Sequence, residues 1–199
     1  MSEQTPTRAA SPSQTFVERR SFLASAGGAT LSAGAVMLLA GGGLAGTSGR
    51  ALAGSAESDA KILNAALGAE LEAVAAYQVG AESGLLQKPV LDLAVQFQGH
   101  HKEHADLLAS TVTTLGGTAV EPKADYGFPL DQLSTQADVL RFAAGLEKGA
   151  VSAYLGAVPL FGDRALAKAA ASILGDEAMH WAVLRQALGE NPVPSAFVT

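Results

Sequence analysis

Three of the four histidines in this chain fall within five residues, in the stretch GHHKEHADLL at residues 99–108. His101 and His104 are three residues apart, so both would lie on one face of a helix. The fourth histidine, His180, follows Glu177 at the same spacing. Imidazole nitrogens and carboxylate oxygens are ligands for divalent transition metals. These segments predict a metal site if the side chains point into the protein. If they point outward, they are exposed surface residues.

The amino-acid composition restricts the possible classes of fold and function. The chain has 199 residues, 48% of them hydrophobic, which favours one packed domain with a tail. Its net charge is −6 without a basic cluster, so a nucleic-acid partner is not expected. The chain has no cysteine, which excludes disulfides, thiolate metal sites and cysteine nucleophiles.

Apolar residues recur at three- and four-residue steps after residue 54, which predicts helices. The first helix covers about residues 58–83. The second begins near Pro89, which suits a first helical turn, and ends at Gly116 and Gly117. The short turn between the two helices predicts an antiparallel hairpin.

A second hairpin follows a long connection. Residues 118–133 contain two prolines and a glycine that interrupt any helix. Ser134 or Thr135 can cap a third helix, which Pro159 closes, and a fourth helix extends to about Leu188. The predicted fold is therefore all-α: a four-helix bundle of two antiparallel hairpins joined by a long crossover.

Each predicted helix interrupts its own apolar stripe with one or two ligand-type side chains. These are Glu70 on the first helix, His101 and His104 on the second, Glu147 on the third, and Glu177 and His180 on the fourth. A buried carboxylate costs on the order of several kcal/mol unless it is paired or metal-bound. The alternatives are histidines bonded to backbone or acids, and glutamates that lean inward from a helix surface.

The heights of these residues along the hairpins agree. Glu70 lies 17 residues before Gln87 in the first turn and His104 lies 17 after it. Each is therefore about 25 Å from the turn at about 1.5 Å per residue. Glu147 and Glu177 stand 14 and 16 residues from Phe161 in the second turn. Surface residues have no reason to share a level, so the agreement favours one common site.

Neighbouring polar and aromatic residues are assigned other positions. His100, at the edge of its stripe, is expected beside the ligands or at the surface. Glu72, Glu103 and Asp176 are expected to face solvent. Tyr77 and Tyr154 are expected to fill the core while their hydroxyls bond a ligand carboxylate, and Trp181 is expected to pack.

The first 53 residues resemble a twin-arginine export signal. Arg19 and Arg20 precede Ser-Phe-Leu and an uncharged stretch from residue 21 to 49, although Glu18 and Ala24 depart from the usual pattern. Cleavage is expected near Ala53 or Ala56. The alternative is a membrane anchor, which the many glycines disfavour. This resemblance implies the export machinery as a partner and a final location in the periplasm, envelope or extracellular space. The predicted helical domain then covers residues 54–190, and residues 191–199 form a C-terminal tail.

The helical part resembles the ferritin-like di-iron carboxylate superfamily, in particular exported ferritin-like domain proteins with a twin-arginine signal. The segment HKEHADLLASTVTTLGG is similar to a bacterioferritin helix, in which E-x-x-H-A-D precedes an apolar run and Leu-Gly-Gly. ELEAVAAY, from Glu70 to Tyr77, is similar to the first helix of that family, and Glu177 and His180 match its second E-x-x-H. The likeness spans about residues 58–188.

The resemblance implies one or two iron or manganese ions in the core. It carries over Glu70, His104, Glu147, Glu177 and His180 as ligands, and His101 only by position, because the superfamily has glutamate there. Three carboxylates leave one charge of two divalent cations unbalanced. The substitution could raise the redox potential, make the two sites unequal, favour another metal, or leave only one site filled. Lys102 stands where bacterioferritin has its haem-binding methionine, so no haem is expected.

The resemblance implies redox chemistry, in which the metal is oxidised by dioxygen or peroxide in a ferroxidase-like or peroxide-consuming reaction. A non-catalytic role in metal binding, envelope stress or desiccation is the alternative. A homo-oligomer is compatible with either function, and a storage cage is less expected for an exported protein.

Overall fold

The computed structural model describes residues 56–198, and within this range the fold is all-α, as predicted. The four helices are α1 (Ala56–Glu82), α2 (Lys88–Thr114), α3 (Gln136–Ala157) and α4 (Arg164–Ala187). Short 3₁₀ turns occupy Leu130–Gln132 and Val158–Leu160. None of these helices combines the length and apolar character needed to cross a bilayer. The predicted export signal lies outside the described residues.

The helix ends follow the local chemistry of the sequence. Thr135, one of two predicted caps, accepts a hydrogen bond from the Asp138 amide at 3.2 Å, and the Asp138 carboxylate accepts one from the Thr135 amide at 2.9 Å. This reciprocal capping satisfies amides that the first turn of α3 cannot pair. At the end of α2, Gly116 adopts a φ of 81°, a left-handed conformation that other residues disfavour.

The helices pair as two hairpins, α1 with α2 and α3 with α4, and α1 also packs on α3. Two polar side chains fix the connections. Asn64 donates to the Thr118 carbonyl and accepts from the Val120 amide, both at 2.8 Å, which holds the crossover against α1. Asp59 is buried and accepts from the amides of Gly162 and Asp163, at 2.9 and 3.0 Å, which joins α1 to the turn between α3 and α4.

The core consists of two apolar layers with a polar layer between them. The first apolar layer contains Leu63, Ala66, Leu67, Ala105, Leu108, Val112, Tyr154, Ala170 and Ile173. The second contains Tyr77, Ala94, Phe97, Leu140, Ala144 and Leu184. On every helix, the predicted ligand positions fall in sequence between residues of one layer and residues of the other. The apolar layers shield the polar one from both ends of the bundle.

Candidate metal centre

All six residues predicted to be ligands meet in the polar layer. Five of them are buried, namely Glu70, His101, Glu147, Glu177 and His180, each with 2% or less of its surface exposed. His104 is partly buried, with 14% of its side chain exposed. The helical stripes and the matched heights therefore identified one shared cluster.

Four of these residues form a first group of converging ligand atoms. His101 Nδ1 lies 2.8 Å from Glu70 Oε2 and 3.7 Å from Glu177 Oε1. His104 Nδ1 lies 3.4 Å from the same Glu70 oxygen and 3.1 Å from the same Glu177 oxygen. Two nitrogens and two oxygens thus surround one point between α1, α2 and α4.

A second group of four lies beside the first. His101 Nε2 is 3.3 Å from Glu147 Oε1, and His180 Nδ1 is 3.5 Å from that oxygen. His180 Nδ1 is also 3.8 Å from Glu177 Oε2. This group again contains two nitrogens and two oxygens, now from α2, α3 and α4. His101 and Glu177 belong to both groups.

Four of the candidate ligand atoms lack hydrogen-bond partners within residues 56–198, as expected where a cation would bind. His104 Nδ1, His180 Nδ1 and both Glu177 oxygens are buried without a hydrogen-bond partner among the described residues. His104 Nδ1 and Glu177 Oε1 approach to 3.1 Å but lack the alignment of a hydrogen bond. Two atoms that bind one cation at about 2.1 Å in tetrahedral geometry are separated by about 3.4 Å. Unsatisfied buried polar atoms are costly, and one cation in each group would satisfy two of these four atoms.

Protons compensate part of the carboxylate charge when no cation is present. Burial opposes a charge on His101, but hydrogen bonds to Glu147 and Glu70 outweigh burial and raise the pKa of His101 to about 11. The nearby Glu177 and Glu70 carboxylates outweigh burial at His104 and raise its pKa to about 9. The nearby Glu147 and Glu177 carboxylates do the same at His180, whose pKa also rises to about 9. Burial would raise the pKa of Glu147, but its hydrogen bond with His101 and the nearby His180 ring hold it below its ordinary value.

The carboxylates of Glu70 and Glu147 each accept a hydrogen bond from a tyrosine of the other hairpin. The Tyr154 hydroxyl on α3 donates to Glu70 Oε1 on α1 at 2.6 Å, and the Tyr77 hydroxyl on α1 donates to Glu147 Oε1 on α3. This confirms the predicted role of both hydroxyls. Burial, together with the neighbouring carboxylates, raises the pKa of both tyrosines well above the ordinary value, so both remain donors.

Asp176 lies at the site and does not face solvent, contrary to the prediction. Its Oδ2 lies 3.2 Å from His180 Nε2, 3.5 Å from His104 Nε2 and 3.0 Å from His100 Nδ1, and only 22% of its side chain is exposed. A carboxylate at the outer nitrogen of a histidine fixes the ring so that the inner nitrogen is free to bind a metal. Its position, four residues before His180, was the available signal.

The remaining polar residues near the site agree with prediction only in part. His100 lies at the edge of the cluster, as predicted, with Nδ1 2.9 Å from His180 Nε2. Glu103 is exposed, as predicted. Glu72 is half-buried rather than solvated, and burial raises its pKa while Lys123 opposes that shift. His100, Asp176 and His180 form a third, more exposed group of possible ligands.

Aromatic packing orients the rings of the site. Phe97 stacks on the His180 ring, with centroids 4.0 Å apart and an interplanar angle of 26°. Trp181 packs against the second apolar layer, as predicted. Phe97 therefore fills the second apolar layer and also restricts the rotation of a predicted ligand.

The fold and the site define a four-helix bundle protein with a buried histidine–carboxylate cluster that could hold metal. The chain belongs to the ferritin-like domain family, whose pattern matches residues 58–190. Among solved structures, a conserved hypothetical protein, rv2844, from Mycobacterium tuberculosis is similar, with a TM-score of 0.63 and 24% identity over 72% of this chain and 99% of that chain. At this identity the likeness concerns the fold. A comparison with curated proteins finds no significant match.

Proposed function

We propose that this chain is an exported ferritin-like protein that binds two iron or manganese ions in the polar layer and uses them in redox chemistry. The observation that carries the proposal is the pair of buried four-atom groups, in which four ligand atoms have no hydrogen-bond partner among residues 56–198. A donor set of imidazoles and carboxylates suits Fe and Mn. The six proposed ligands are Glu70, His101, His104, Glu147, Glu177 and His180.

The six proposed ligands differ in the group to which they belong. Glu70 and His104 belong to the first group only, Glu147 and His180 to the second only. Tyr154 orients Glu70, and Tyr77 orients Glu147. Asp176 orients the rings of His104 and His180. When bound, iron or manganese supplies the redox couple, with the ions losing electrons to dioxygen or peroxide.

Solvent reaches the polar layer on one side. His100 has 36% of its side chain exposed and His104 has 14%, whereas the second group is almost fully buried. We place the route for ions and small oxidants at this side, between α2 and α4. The two apolar layers shield the rest of the polar layer from water.

Export through the twin-arginine pathway is part of the proposal and rests on the resemblance of residues 1–53. That pathway carries folded proteins, so the metal would be acquired before export. A second candidate function is metal binding without turnover, in an envelope stress or desiccation role. His101 favours it, because the superfamily has glutamate at this position and a changed ligand set can retain metal yet lose redox activity.

Metal content tests the proposal. The full chain is loaded with Fe(II) or Mn(II) without oxygen, desalted and measured by mass spectrometry, beside Glu147→Ala and the control Glu103→Ala, which removes an exposed glutamate of α2. We expect two ions per wild-type chain, two in the control and fewer in Glu147→Ala. Equal content in all three proteins would contradict the site.

Consumption of dioxygen or peroxide by the loaded protein then separates the two candidates. Turnover above that of the free ions supports redox chemistry. Two bound ions with no turnover support the non-catalytic function.

A further inference from the structure

Both ring nitrogens of His101 face cation-binding groups, and they face different ones. Nδ1 lies 2.8 Å from Glu70 Oε2 in the first group, and Nε2 lies 3.3 Å from Glu147 Oε1 in the second. The outer nitrogens of His104 and His180 face Asp176 instead, so each of those rings has one nitrogen left for one group. His101 has no comparable outer acceptor among the described residues.

From this geometry we propose that His101 bridges the two metal ions as an imidazolate, with one ring nitrogen bound to each ion. The inference rests on the dimetal site proposed above and adds a role for its unusual ligand. It places two bridging residues in the site, His101 from α2 and Glu177 from α4. Glu177 supplies one oxygen to each group in the same way.

The count of ligands supports a bridge. Without sharing, six residues would give each of two ions three ligands. With His101 and Glu177 shared, each ion has four, two nitrogens and two oxygens. If His101 bound through one nitrogen, one group would lose a ligand that the structure has already positioned, and the free nitrogen would stay buried against Glu70 or Glu147.

The charge balance supports the same conclusion. Three carboxylates leave one positive charge of two divalent cations without a partner in a layer where an unpaired charge is costly. An imidazole that binds cations through both nitrogens has released both ring protons to solvent and carries one negative charge. His101 then supplies the fourth negative charge that two divalent cations require.

The ring is held in the orientation that a bridge requires. It is 1% exposed, and its plane is limited by the Tyr77 ring, whose centroid lies 5.2 Å away, and by the His180 ring at 5.3 Å. Glu70 on α1 and Glu147 on α3 contact different nitrogens of the ring. A rotation that removed one nitrogen from its group would also break its contact with that carboxylate.

Nuclear magnetic resonance of the histidine rings tests the bridge directly. The full chain, labelled with ¹⁵N at its four histidines, is titrated with Zn(II), a diamagnetic probe of the same charge. With two equivalents bound, we expect both His101 nitrogens to shift and the ring to have no directly bonded N–H proton. His104 and His180 should each retain one N–H, directed at Asp176. A His101 ring that retains one N–H in the two-zinc protein would overturn the bridge and leave the dimetal site intact.

Two variants provide a second measurement. His104→Gln removes a ligand from one group, so one of the two zinc-binding steps should weaken by about tenfold or more. His101→Gln removes a ligand from both groups, so both steps should weaken, while circular dichroism confirms that the helices persist. If His101→Gln weakens only one step, as His104→Gln does, the bridge is wrong. If wild type binds no zinc and no Fe(II) or Mn(II), both the bridge and the proposed function fail.

Discussion

Tyr154 on α3 donates its hydroxyl to Glu70 on α1 at 2.6 Å, and the reverse arrangement joins Tyr77 on α1 to Glu147 on α3. Each tyrosine follows the glutamate of its own helix by seven residues, or two helical turns. The two hairpins therefore exchange equivalent hydrogen bonds across the bundle. This exchange orients one carboxylate toward each group of ligand atoms and couples the packing of α1 and α3 to the geometry of the site.

Removing either hydroxyl should weaken metal binding more than folding. Tyr154→Phe and Tyr77→Phe each remove a hydroxyl that donates to a buried carboxylate, and loss of such a partner costs about 10- to 100-fold in metal affinity. Competition with a chelator of known affinity measures the change. Tyr126→Phe, in the crossover between α2 and α3, is the matched control and should bind metal as wild type does. Unchanged affinity in both core variants would show that the hydroxyls do not support the ligands.

Asp176 should have a comparable effect through the histidines. Asp176→Ala removes the acceptor that faces the outer nitrogens of His180 and His104, so both rings lose their fixed orientation. We expect metal affinity to fall by about 10- to 100-fold. The control is Asp106→Ala, at an exposed aspartate of α2. Equal metal affinities in the two variants would show that Asp176 does not support the metal-binding histidines.

The metal-free protein should lose stability as the pH rises above neutrality. In the folded state, carboxylate partners raise the pKa of His104 and His180 from 6.5 to about 9. Between these pH values the folded protein therefore binds more protons than the unfolded chain, which favours folding. This contribution is fully present below pH 6.5 and is lost as the pH rises through about 9.

Urea unfolding at pH 6.5, 8 and 9.5 measures this dependence. The free energy of unfolding should fall across the series in metal-free wild type and fall less in His104→Gln. A flat or rising profile in wild type would mean that these histidines are not held in their charged form.

Replacing Asp59 should change the stability of the fold without changing the metal site. Asp59→Ala leaves the amides of Gly162 and Asp163 without their acceptor, and an unsatisfied buried donor costs about 1–3 kcal/mol. We expect the free energy of unfolding to fall by about that amount. Metal content per folded chain should not change, because Asp59 lies three helical turns from Glu70. Loss of metal from the folded variant would indicate that the interhelical connection also shapes the site.

The fold and the six proposed ligands were predictable because a helix relates sequence spacing directly to direction and height. Glu70 and Glu147 each fall on an apolar stripe at i,i+3 and i,i+4 steps, and the rise per residue places them at one level. The capping residue Thr135 was predictable to within one position, because only a side-chain acceptor can satisfy the first amides of α3.

Contacts between helices were less predictable, because they depend on how the two hairpins pack. Asp176 lies at the edge of its stripe, and its burial is decided by His100 and His104 on α2 rather than by its own helix. The same reason applies to His101: the sequence placed it inward, but only the packing of α1 and α3 on its two sides shows that both nitrogens face carboxylates.

The most direct measurement is anomalous diffraction at the metal edge from crystals of the full chain loaded with Fe(II) or Mn(II). We expect two peaks in the polar layer, one beside Glu70 and His104 and the other beside Glu147 and His180. Peaks confined to the protein surface, or none in that layer, would contradict this expectation.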